Sequence, residues 1–86
     1  YKEAIVIYDK VLTIDENNIH ALFDRAVDKG LTGDREGELT DLHKILKLDS
    51  INTLALFNLG VTYGNLGQYK ESINAFNKAM KTKGGE

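Results

Sequence analysis

Few side chains in this 86-residue chain could do chemistry. His20 and His43 each stand alone in their segments. Neither sits in an HExxH spacing, which would place two imidazoles on one helix face around a zinc ion. Each reads as a helix-surface histidine. The chain has no cysteine, so it offers no thiolate nucleophile, disulfide or thiolate metal site. Asp15-Glu16-Asn17 and Asp34-Arg35-Glu36 gather oxygen donors but lack the glycine and closing glutamate of a calcium loop. As helix caps they need no metal. Gly64-Asn65-Leu66-Gly67 lacks the lysine and preceding strand of a phosphate loop and reads as a helix end. Gly60 and Gly64 have the spacing of a membrane-dimer motif, but Asn58 and Asn65 on the same segment argue against it. No catalytic constellation emerges. The expectation is a non-enzyme without cofactor or metal.

The elements that carry these residues follow from periodicity. Ile5, Tyr8, Val11 and Leu12 form one apolar stripe of a helix over about 1–15. Asn18 is placed to cap a second helix over about 19–31, with Leu22, Phe23, Ala26 and Val27 inside and Gly30 and Gly33 at its close. Asp34 caps a third, about 35–48, whose stripe is Leu39, Leu42, Ile45 and Leu46. Asn52 caps a fourth, about 53–66, with Leu56, Leu59, Gly60 and Tyr63, ended by Gly67. The fifth, about 69–82, carries Ile73, Phe76, Ala79 and Met80. Loops of a few residues leave successive helices antiparallel and packed on each other.

The chain also repeats at a spacing of 34 residues. Asp15 falls on Asp49, Asn18 on Asn52, Ala21-Leu22-Phe23 on Ala55-Leu56-Phe57, and Gly33 on Gly67. Leu12 falls on Leu46 and then Met80. Tyr1 and Lys2 fall on Tyr69 and Lys70 two periods later. A unit of this size cannot bury its apolar face alone, and stacked units form a solenoid whose extended surface binds other proteins.

Leu56-Phe57-Asn58-Leu59-Gly60, then Tyr63, Gly67, Tyr69, Phe76 and Ala79, resemble a tetratricopeptide repeat, a helix–turn–helix with large, Leu-Gly, Tyr, Ala, Phe and Ala positions. The resemblance covers the whole chain, more weakly at 19–52. It implies an all-α, right-handed α-solenoid of antiparallel helix pairs with five helices. Residues 1–18 would be the second helix of a partial repeat, 19–52 a full repeat, and 53–86 a full, terminal repeat. Ala26 and Gly60, with Ala4 and Ser72 facing such positions, allow close helix approach.

In that family the first helix of each repeat lines the groove. The resemblance thus places His20, Phe23, Val27 and Gly30 on one inner helix and Leu54, Phe57, Asn58, Val61, Gly64 and Asn65 on the other. A partner's extended peptide or helix would lay apolar anchors against Phe23, Val27, Phe57 and Val61, with the amides bonding its backbone. The alternative is that Phe23 and Phe57 mostly pack on their neighbours. Some members clamp a partner's C-terminal carboxylate with Lys, Asn and Arg. Here Asn58 alone matches, while Asp24, Phe23 and Leu54 stand at the other clamp positions.

The middle unit breaks the pattern. Arg25, Lys29, Arg35 and Glu38 stand where the third unit has Leu59, Tyr63, Tyr69 and Ser72. Unpaired buried charge is costly, so Arg25, Lys29 and Glu38 are expected to pair, with Asp28 and Asp41 nearby. Two readings stand: a salt-linked solvated seam, or a polar notch for an acidic group of a partner. With Gly37 in the first turn of the third helix, 19–52 is expected to be the least stable unit. Ile14 and Leu48 recur one period apart but give way to Thr82, followed by Lys83-Gly84-Gly85-Glu86, which suggests a capping end. Ile5, Tyr8 and Leu12 are expected to form an uncovered strip for self-association.

Composition fits this picture. Apolar residues make up 42%, charged residues 28%, and the net charge is −2. Basic residues are dispersed, against a nucleic-acid surface. No run approaches the about 20 apolar residues of a membrane helix, and no membrane insertion is expected. The chain opens on Tyr1 in mid-repeat, as a piece of a longer, cytoplasmic protein would. Two function classes follow. One is an interaction module for a protein or peptide partner within a larger scaffold or adaptor. The other is a self-assembly unit whose copies stack.

Overall fold

A computed structural model describes residues 1–83 of the chain. Five α-helices follow one another: α1 Lys2–Ile14, α2 Ile19–Leu31, α3 Arg35–Leu48, α4 Thr53–Asn65 and α5 Tyr69–Lys83. There is no strand among the described residues. Each helix packs on the next in sequence, and the Cα framework forms a slab of 35 × 27 × 15 Å.

The caps explain the boundaries. The side chains of Asn18, Asp34 and Asn52 accept hydrogen bonds from the backbone N–H groups of Ala21, Gly37 and Ala55 at 3.0, 2.8 and 2.9 Å. Each satisfies one donor left unpaired at a helix start. Gly33 and Gly67 adopt φ of +92° and +78°. Only glycine enters that region without strain, so the α2–α3 and α4–α5 turns recur one period apart. Gly30 does not close α2. It lies buried inside the helix, where a Cβ would come within 2.7 Å of the Glu38 carboxyl group. Gly37 is likewise no defect: a Cβ there would collide with the Asp34 carboxylate that caps α3.

The core is one cluster built from Leu12, Ala21, Leu22, Ala26, Leu42, Ile45, Ala55, Leu59 and Ala75. Leu22, Ala26, Leu42 and Ile45 are at most 1% exposed, and all four belong to α2 and α3. This burial runs against the expectation that 19–52 is the least stable unit. Its helices are covered on both sides, whereas α1 contributes Leu12 alone as a buried residue. In native-state hydrogen exchange, α1 amides should open first and those of α2 and α3 last. Earlier exchange in α2 and α3 than in α1 would contradict this account of the core.

Two further expectations are corrected. Ile5, Tyr8 and Leu12 are not an uncovered strip: Leu12 is buried, and Ile5 and Tyr8 are half-buried. Tyr8 and Val11 pack against the core cluster. The bare apolar residues of α1 are Tyr1, Val6, Ile7 and Ile14. At the other end, Ile73 and Met80 are not part of a buried stripe but stand 58% and 72% exposed. Thr82, the polar residue expected to mark a capping end, is half-buried. Its hydroxyl lies 2.6 Å from that of Thr53 and bonds the Ala79 carbonyl at 2.8 Å. The Gly84-Gly85-Glu86 portion of that expectation lies outside the described residues.

Candidate functional site: apolar surface of the helix row

Three arrangements bear on function: a charged seam inside the row, a small hollow between α2 and α4, and a larger apolar seat on α4 and α5.

The seam is built around Asp41, whose side chain is 2% exposed. Arg25 donates to it from Nε at 2.8 Å and Nη2 at 2.6 Å, a two-point pairing that fits the planar guanidinium to the carboxylate. Its Nη1 reaches Asp9 of α1 at 2.8 Å. Lys29 Nζ lies 3.5 Å from Asp41 Oδ2, the oxygen that also accepts from Arg25 Nε. One arginine thus ties α1, α2 and α3 together. The Asp41 hydrogen bonds raise the Arg25 pKa further above its ordinary value, against the opposing effect of burial. Glu38 pairs with Arg35 at 3.5 Å, not with Arg25 or Lys29. No buried polar side-chain atom among the described residues lacks a partner. The charges satisfy one another, as the salt-linked reading of the seam requires.

Asp41 was among the carboxylates expected near this seam, whereas Asp9 of α1 was missed. A sharper signal for the Arg25–Asp41 pair was present. Arg25 replaces Leu59 and Asp41 replaces Ala75 one period apart. Two apolar positions have changed to opposite charges together, as one buried pair would require.

The hollow between α2 and α4 is lined by Ile19, His20, Phe23, Asn52 and Leu54, with a volume of about 190 Å³. The sequence-derived inner face is therefore only partly assembled. His20, Phe23 and Leu54 come together there. His20 is 90% exposed and sits 3.3 Å from Asp24 on the next turn. Val27 and Phe23 are half-buried, and Phe23 packs on the core. Asn58 uses its side-chain N–H on the carbonyl of Leu54, at 2.9 Å. Val61 and Asn65 continue along α4 as exposed residues. The Phe57 ring turns to α5, with its centroid 5.5 Å from that of Phe76 and the planes 59° apart. This tilted geometry suits the ring quadrupoles. At the edge of α2, partial burial first, and then the Asp24 and Asp28 carboxylates, raise the Tyr8 phenol above its ordinary value. His43, also exposed, bonds the Tyr63 hydroxyl at 3.0 Å, linking α3 to α4.

The seat is lined by Thr53, Leu54, Phe57, Phe76, Ala79 and Met80 and encloses about 450 Å³. Its walls are almost wholly hydrocarbon. Sequence reasoning placed Phe76, Ala79 and Met80 in the core and so did not see it.

A helix pair with these caps, small residues and glycine turns defines a helical-repeat protein. Residues 53–83 match the family model of the tetratricopeptide repeat. The match spans α4 and α5, and the five-helix, all-α architecture of the described residues is consistent with tandem repeats of that kind. No curated protein matches the chain. No helix among the described residues is long and apolar enough to cross a membrane.

Proposed function

We propose that the chain is a protein–protein interaction module that receives a peptide or helical segment of a partner along α2 and α4, as part of a larger scaffold or adaptor. Its units are 1–18, 19–52 and 53–86, with α2 and α4 as the first helices of the two full repeats. Tetratricopeptide repeats as a class bind protein partners, and the match at 53–83 supports that class.

The observation that carries the reading is the exposed face of α4. Leu54, Phe57 and Val61 are 63%, 53% and 40% exposed at spacings of three and four residues. They form a continuous apolar strip beside the hollow at His20 and Phe23. A folded helix that shows such a strip to solvent loses burial energy unless something covers it. An extended or helical segment would place its apolar side chains on Leu54 and Val61, with His20 and Asn65 at the rim.

Panning a displayed library of random peptides against the chain tests this. Selected peptides should carry apolar anchors at regular spacing. Val61→Glu and Leu54→Glu should each weaken their binding about tenfold or more, as expected for loss of a buried anchor. Unchanged affinity in both variants would remove the α4 strip from the binding surface.

A further inference from the structure

The two helices that border the hollow differ in charge. α4 holds no charged residue, and no lysine or arginine lines the hollow. On α2, His20, Asp24 and Asp28 follow one another at four-residue spacing, beside Phe23 and Val27. The two cations of α2, Arg25 and Lys29, are committed to Asp41 in the seam. Asp24 has only the exposed imidazole of His20 within ion-pair distance, at 3.3 Å. Asp28 has no such partner among the described residues. It also sits near the C-terminal end of α2, where the helix dipole opposes a carboxylate. Burial first, and then both carboxylates, raise the Tyr8 phenol, so the two acids lie together at the edge of α2 next to α1.

The α4 strip offers little to a partner's backbone. The side-chain N–H of Asn58 is already bonded to the Leu54 carbonyl at 2.9 Å. An extended segment lying on Leu54, Phe57 and Val61 would bring N–H and C=O groups against hydrocarbon. A helix satisfies its own backbone, and its apolar stripe repeats at the same three- and four-residue spacing as the strip.

We propose that the segment received along α2 and α4 is an amphipathic helix whose apolar stripe is flanked by lysine or arginine. Its apolar side chains would lie on Leu54 and Val61, and its cations over Asp24 and Asp28. An acidic helix with the same stripe would set carboxylate against carboxylate at α2. Charge on α2 thus selects among helices that the α4 strip alone would accept equally. The inference rests on the reading of α4 as the binding strip and adds the class of partner.

Designed peptides test it. Three helices of about 18 residues, long enough to hold helical structure in water, share one leucine stripe and carry lysine, glutamine or glutamate beside it. Circular dichroism matches their helicity, and fluorescence anisotropy of a dye on each reads binding to the chain. The lysine peptide should bind at least about tenfold more tightly than the glutamate peptide, with glutamine between them. Salt at about 1 M, which screens charges beyond about 3 Å, should bring all three within about threefold. Asp24→Asn with Asp28→Asn should remove the preference and leave the glutamine peptide's affinity unchanged. A central proline in the lysine peptide, which breaks its helix, should weaken binding at least about tenfold. The proposal is overturned by a lysine peptide that does not bind, by equal affinity for the lysine and glutamate peptides, by a preference that survives in the Asn variant, or by undiminished binding of the proline peptide. Val61→Ser separates these failures from failure of the underlying reading. If it weakens every peptide while charge makes no difference, only the partner class is wrong. If it weakens none of them, the α4 strip is not the site and both readings fall. Sedimentation of the chain alone covers the remaining occupant. Self-association of the wild type that Val61→Ser abolishes would put a second copy on the strip and overturn the proposal.

Discussion

Asp41→Ala should destabilise the chain by about 3 kcal/mol or more, the usual consequence of removing one partner from a buried ion pair. Asp41 is the meeting point of Arg25 and Lys29, whose side chains are 19% and 20% exposed. Without it, two cations would face a half-buried seam with only Asp9, itself 53% exposed, to answer Arg25. The loss should lower Tm by more than about 12 °C, at about 4 °C or more per kcal/mol for a domain of this size. Denaturant unfolding followed by circular dichroism would give the magnitude. The paired replacement Arg25→Leu with Asp41→Ala restores the residue types of the third unit, Leu59 and Ala75. It should recover much of the loss, because the guanidinium goes with its carboxylate, and the groups left without a partner, Lys29 and Asp9, are 20% and 53% exposed and reach water. A single-variant loss below about 1 kcal/mol, in the range of an exposed pair, would mean that the seam is already hydrated.

The same comparison shows how far the residues spoke for the structure. Helix positions were legible because the starts of α2, α3 and α4 are marked by an Asn or Asp cap and two turns by a positive-φ glycine. Those signals are local, and local rules decide them. Which face of each helix is covered was not legible in the same way. Ile5 and Ile73 are equivalent by recurrence, yet one is half-buried and the other exposed. Periodicity identifies an apolar face but not whether a neighbour lies against it. The pairing within the middle unit was hard to read for a related reason. Arg25, Lys29 and Glu38 look like damage when each is compared only with its own equivalent. The effect of Arg25 depends on Asp41 and Asp9, both 16 residues away, that of Lys29 on Asp41, and that of Glu38 on Arg35. The binding face was partly legible. Exposure of Leu54 and Val61 follows from the helix pattern, while the turn of Phe57 toward Phe76 depends on α5.

Gly60→Ala is expected to destabilise the chain by about 1–2 kcal/mol although alanine is the better helix former. Propensity favours alanine by about 1 kcal/mol in an exposed helix. Here, a Cβ would lie 2.7 Å from Cδ1 and Cε1 of Phe76 and 2.9 Å from its Cζ. The helices cannot simply part, because the Ser72 hydroxyl bonds the Gly60 carbonyl at 2.7 Å inside the α4–α5 contact. Nor can the ring swing freely, with Phe57 against it. Overpacking of this kind costs about 1–3 kcal/mol, which outweighs the propensity gain. The second unit solves the same problem with the sizes exchanged. Its equivalent residues are Ala26 and Leu42, both fully buried in one cluster. Larger on α2 and smaller on α3 replaces smaller on α4 and larger on α5. Copying that pair, Gly60→Ala with Phe76→Leu, should therefore cost less than the sum of the two single changes. A coupling of about 1 kcal/mol in a double-mutant cycle is the expected result. Additive effects would mean that ring and glycine are not in contact in solution, and that the small residue of α4 answers to helix approach alone.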